Sequence, residues 1–111
     1  MRRAIAVAIV LVAWVSNAIA AEEQVILGRA EMSTVYVWRD HAAFREAVKL
    51  IEAKVNETNP SLVSRLLACT AKPGDHAVIV ERGVASHTIV VVDGTSAGCR
   101  GFVTDEDVNK L

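Results

Sequence analysis

Two cysteines, three histidines and one arginine flanked by glycines are the residues of this chain whose types could support chemistry. Cys69 and Cys99 offer a disulfide, a redox pair or part of a metal site. A redox pair more often shows Cys-x-x-Cys, and zinc needs more thiols or closely spaced histidines; neither pattern occurs. His41, His76 and His87 show no i, i+4 spacing and no His-x-His. They are expected to be surface or helix-end histidines, and neither a metal nor a cofactor is expected. Ser86 and His87 are adjacent in a strand-like run, so their side chains must point to opposite faces and cannot pair with each other. No Gly-x-Ser-x-Gly occurs, and Gly98-x-x-Gly101 lacks the Lys and hydroxyl of a phosphate loop. Asp105, Glu106 and Asp107 read as a solvated charged turn. Asn56-Glu57-Thr58 matches a glycosylation sequon, read here as chance. No catalytic residue is expected.

Arg100 stands apart. It follows a cysteine and lies between Gly98 and Gly101, which carry no side chains to obstruct a ligand. Its plain role is a solubility residue on an edge strand. The sharper expectation is a recognition arginine on an open face, with Gly98, Gly101 and Trp38 beside it as possible binding residues. For Trp38, core packing is favoured over display.

These residues need a compartment and a scaffold. The first twenty residues, MRRAIAVAIVLVAWVSNAIA, combine Arg2 and Arg3, an apolar run from Ala4 to Val15 and a closing Ala18-Ile19-Ala20. That layout predicts a secretory signal peptide over 1–20, cleaved after Ala20 or Ala21. An uncleaved anchor is the alternative, but the run is at the short edge of a bilayer span. Export to the periplasm, or secretion, follows, with no stable membrane anchoring after cleavage. In such a compartment an even cysteine count reads as a Cys69–Cys99 disulfide.

The chain has 111 residues and a formal net charge of −1. Losing Arg2 and Arg3 makes it more acidic by two charges. No basic cluster remains, so nucleic acid and anionic lipid are not expected as partners. About ninety residues form one small domain.

Within it, residues 21–66 supply an arm, a short strand and two helices. Val25-Ile26-Leu27 reads as a loose arm or an edge strand, and Thr34–Trp38 as a strand. Asp40 is an N-cap. Phe44, Val48, Ile51 and Val55 form an apolar stripe of a helix running to Val55. Asn59-Pro60 starts a second helix that buries Leu62, Val63, Leu66 and Leu67; one kinked helix is the alternative. Residues 67–111 change rhythm. Strands are predicted at 67–70, 76–81, 86–92 and 99–103, with turns at Pro73-Gly74 and Asp93-Gly94 and a Thr104-capped turn at the end. Four or five short strands favour a small barrel or a curled meander.

The Pro-Gly turn, the two Val-rich strands and the run GCRGFV make 67–108 resemble a bacterial SH3-like domain. Over most of the chain, WRD, EAVKLIEA, NPSLVSRLLAC, SHTIVVVDG and AGCRG in order resemble small exported proteins of uncharacterised function from α-proteobacteria, rhizobia-like organisms in particular. The second resemblance implies a periplasmic home and no activity.

The expectation is therefore an α+β fold, two helices packed on a small disulfide-bonded SH3-like barrel. Its function would be non-enzymatic, binding an envelope protein, a peptide or a glycan. A secreted-enzyme inhibitor using the 93–98 loop is the alternative. A small hydrolase or metal-dependent enzyme is a weaker one.

Overall fold

A computed structural model describes residues 23–111. The proposed signal peptide lies outside the described residues. Seven strands are present: β1 (Glu23–Leu27), β2 (Val35–Trp38), β3 (Leu67–Ala71), β4 (His76–Arg82), β5 (Ser86–Val91), β6 (Arg100–Thr104) and β7 (Val108–Lys110). Three helices lie between β2 and β3: α1 (His41–Glu52), α2 (Val55–Thr58) and α3 (Ser61–Ser64). The strands form one antiparallel sheet in the order β3-β2-β6-β5-β4-β1-β7, and it does not close. Among the described residues the fold is therefore α+β, with three helices rather than two and an open sheet rather than a shut barrel. β3 and β7 remain its two edges.

Alternation of side chains fixes which face is dry. Along β5, His87, Ile89 and Val91 are buried while Ser86, Thr88 and Val90 are half-exposed. This is the period-2 pattern of a sheet with one core face. Val25, Leu27, Val35, Val37, Ala77, Ile79 and Val103 complete that inner core. β1 is neither a loose arm nor an edge strand. It pairs with β4 on one side and β7 on the other, which buries Val25 and Leu27. β7 follows a 3-10 turn at Asp105–Asp107 and has no counterpart in the sequence expectation. Its three residues, Val-Asn-Lys, carry too little apolar pattern to signal a strand. Asn109 secures it by donating from Nδ2 to the Gly28 carbonyl at 2.5 Å. Thr104 stands at the N-cap of this turn as expected, its hydroxyl donating to Asp107 Oδ2 at 3.4 Å while its side chain accepts from no backbone N–H.

A second, smaller core lies where the helices cover the opposite face of the sheet. It joins Trp38 and Phe102 to Ala43, Ala47, Val63 and Leu66. Asp40 caps α1, its Oδ1 accepting from the Ala43 N–H at 2.7 Å. The buried face of α1 differs from the predicted stripe. Ala43 and Ala47 are the buried residues, and Ile51 is 44% exposed. The alanines let the helix axis approach Trp38 and Phe102 closely, since large rings already occupy the sheet side. Phe44 flanks this contact, its ring 5.5 Å from that of Phe102. Val55 belongs to α2, because α1 ends at Glu52 and Lys54 takes a left-handed φ of 62°. Val63 and Leu66 are buried as predicted, with Leu62 and Leu67 half-buried. The Asn59 side chain accepts from the Ser61 hydroxyl at 2.8 Å, and its backbone carbonyl takes the Leu62 N–H at 3.1 Å.

Cys69 and Cys99 are bonded, with Cα atoms 6.6 Å apart and a sequence separation of 30. β3 and β6 are not sheet neighbours; β2 lies between them. The bridge ties β3 directly to the residue before β6, since its 6.6 Å Cα separation is shorter than two strand spacings of about 4.8 Å each. β2 itself meets β6 through one register pair, Trp38 opposite Phe102. The disulfide thus clamps the thinnest seam of the sheet. Ser96 reinforces it, its hydroxyl donating to the Thr70 carbonyl at 2.5 Å.

Candidate functional site

Arg100 opens β6 on the face away from the inner core, while Cys99 packs against that core. The arginine is exposed, and no carboxylate pairs with it among the described residues. It lines a cleft of about 520 Å³ between the start of α1 and the β4–β5 hairpin. Arg39, absent from the sequence candidates, lines the same cleft and is likewise exposed without an ion-pair partner there. Sequence alone offered no route to it, because Arg39 and Arg100 are far apart in the chain. The chain leaves β2 at Trp38 and Asp40 caps α1, which places Arg39 at the corner between the strand and the helix. Ser86 and Thr88 bring hydroxyls to the cleft, and Phe102 its ring. Arg82 also reaches it but is paired with Glu23.

The glycines divide. Gly98 has a φ of 95°, and a Cβ there would meet nothing within 4 Å. Gly101 is buried, and a Cβ on it would lie 2.5 Å from the Trp38 carbonyl oxygen and 2.6 Å from Val37 Cγ1. Its missing side chain admits β2, not a ligand. Trp38 is 8% exposed and packs with Phe44, centroids 6.2 Å apart, so it serves the core.

The histidines depart from the surface reading in one case. His41 is exposed at the start of α1, its ring 5.2 Å from that of Phe102. His76 faces Asp93, with Nδ1 and Oδ2 2.7 Å apart. Asp93 also accepts from the His76 backbone N–H at 2.7 Å. These two hydrogen bonds, the backbone one foremost, hold the Asp93 carboxyl below its usual value. They also fasten the 93–98 loop to β4.

His87 is buried at 2% exposure on the inner face, opposite to Ser86 in orientation. Its Nδ1 accepts from the Gly83 N–H at 3.2 Å, so Nε2 carries the proton and donates to Asp105 Oδ1 at 2.6 Å. The sequence reading missed this because a histidine alone does not reveal a partner eighteen residues away. Both ring nitrogens are committed to holding the β4–β5 turn and the 105–107 turn together. Asp105–Asp107 is accordingly not a simple solvated run. Asp107 is mostly buried; its Oδ1 has Arg29 Nε at 3.4 Å yet makes no hydrogen bond. Burial raises its carboxyl above the usual value, with Arg29 opposing.

Among the described residues no three His, Cys, Asp or Glu side chains gather as a ligand set. The two thiols are joined, and His87 has no free nitrogen to serve a nucleophile. What the cleft can do is hold an anion: guanidinium groups bind carboxylates through paired N–H donors. No family model matches the chain, and neither a curated protein nor a solved structure matches it.

Proposed function

We propose that this chain is an exported, non-enzymatic binding module of the periplasm that meets its partner at the cleft bearing Arg39 and Arg100. The observation that carries the reading is the pairing of these two arginines, neither neutralised by a carboxylate, across one open cleft. Two arginines lining one cleft, neither of them in an ion pair, are complementary to an anionic partner. The signal-like 1–20 segment and the disulfide support an oxidising, extracytoplasmic home. The successive strands and the Pro73-Gly74 turn support an SH3-like origin for residues 67–111.

The test is site-directed photo-crosslinking in cells, with the reactive group at Thr88 in the cleft or at Lys110 on the far edge. A discrete adduct from Thr88, lost in Arg100→Gln and absent from Lys110, supports the reading. Equal adducts from both positions, or none from Thr88, overturn it.

A further inference from the structure

The cleft does not end at His41. It continues into a second depression of about 640 Å³, and His41, Ser86 and Phe102 line both. The resulting groove changes character along its length. Arg39 and Arg100 stand at one end. The rings of His41, Phe44 and Phe102 make an apolar middle, with ring centroids 5.2 and 5.5 Å apart. Val84, at the tip of the β4–β5 hairpin, borders that middle and is 100% exposed. Asp105 and Glu106 stand at the other end.

Each part restricts the occupant. The two arginines call for an anion. Asp40 and Glu81, which line the same cleft as the arginines, and Asp105 and Glu106 beyond the rings repel a polyanion such as nucleic acid or polyphosphate, so the charge is single and local. The rings and the wholly exposed Val84 call for an apolar group joined directly to that charge. The acidic far end disfavours a purely hydrocarbon tail and suits a chain with N–H donors.

Resting on the binding-module reading, we infer that the groove captures the free C-terminus of a peptide ending in a large apolar residue. The carboxylate lies between Arg39 and Arg100. The terminal side chain packs on Phe102, Phe44 and Val84. The preceding backbone runs toward Asp105.

The experiment is an NMR titration of the ¹⁵N-labelled protein with its disulfide intact. The probes are an acetylated Gly-Ser-Gly-Ser-Gly-Phe peptide as the free acid, the same peptide as the C-terminal amide, a free acid ending in Gly, and octanoate. The Phe acid is expected to shift the amides of Arg39, Val84, Arg100 and Phe102 saturably. The amide should bind at least about tenfold more weakly, and the Gly acid about fivefold more weakly. Arg39→Gln and Arg100→Gln should each reduce the acid to the level of the amide while leaving the spectrum folded. Val84→Ser should narrow the preference for Phe over Gly. Equal binding of acid and amide, or no shift at these amides with millimolar peptide, overturns the inference. Octanoate binding more tightly than the Phe acid overturns it too, in favour of a fatty-acid carboxylate. Any of these failures leaves the Thr88 crosslink standing, whereas failure of the crosslink removes the cleft itself as a docking site.

Discussion

Trp38 and Phe102 form the one register pair that joins β2 to β6, and the Cys69–Cys99 bond independently ties β3 to the residue before β6. A single ladder pair is a weak hinge for a seven-stranded sheet. The disulfide supplies the constraint that hydrogen bonding does not. Replacing both cysteines by serine should lower stability by about 3–4 kcal/mol in the chain-entropy view. The loss should be uneven: amides of β2 and β3 should exchange with solvent before those of β4 and β5. Denaturant melts together with hydrogen exchange check both parts.

His87 should behave as a buried strut. His87→Ala removes a core side chain and leaves the Gly83 N–H without its acceptor, at a cost of about 2–4 kcal/mol. Asp105→Ala should cost less, about 1 kcal/mol, because the carboxylate is 59% exposed at the side chain and water can replace the bond to Nε2. Thermal melts of the two variants give the comparison. Equal losses would show that the Asp105 contact, not burial, dominates.

The face of α1 gives a second pair. Ala47→Leu inserts a large side chain where the helix meets Trp38 and Phe102, and should cost about 1–3 kcal/mol. Ile51→Ala, on the half-exposed side, should cost under about 1 kcal/mol. Chemical denaturation of the two variants checks the order.

Gly101 and Gly98 should respond differently to the same change. Gly101→Ala forces a Cβ against the Trp38 backbone, so β2 must move; a loss above about 2 kcal/mol is expected. Gly98→Ala meets open space and suffers only its positive φ, about 1 kcal/mol. Melting temperatures of both variants decide it.

Two carboxylates should act on stability with opposite signs as pH changes. The Asp93 carboxyl lies below its unfolded value of 3.8, so its contribution is present above that pH and is lost as pH falls through the folded value. Asp107 lies above 3.8, so the folded state holds its proton more tightly, and its contribution is present below 3.8 and lost as pH rises through the folded value. Asp107→Asn should therefore raise stability at neutral pH relative to the native protein. Asp93→Asn should flatten the loss of stability on the acid side. Urea melts from about pH 3 to pH 7 read both slopes.

The sequence by itself determined what local chemistry dictates. Asp40 as a cap, the Pro73-Gly74 turn, the strand runs of β2 to β6 and the disulfide all follow from neighbouring residues or from having only two cysteines. β7 escaped, since a three-residue strand exists only through its partner β1. The tertiary structure alone decided which residues meet. Ala43 and Ala47 are buried instead of Ile51 because bulky Trp38 and Phe102 already fill the sheet side, a fact of the facing surface and not of the helix. His87 is a strut because the β5–β6 register sets Ser86 against Thr104, so the Asp105 turn begins beside it. Gly101 admits a strand instead of a ligand because β2 passes over it. Arg39 joins Arg100 because the corner between β2 and the capped start of α1 lies beside the start of β6, which brings two distant stretches of chain to one cleft. Contacts of this kind depend on long-range geometry, which residue type and spacing do not encode.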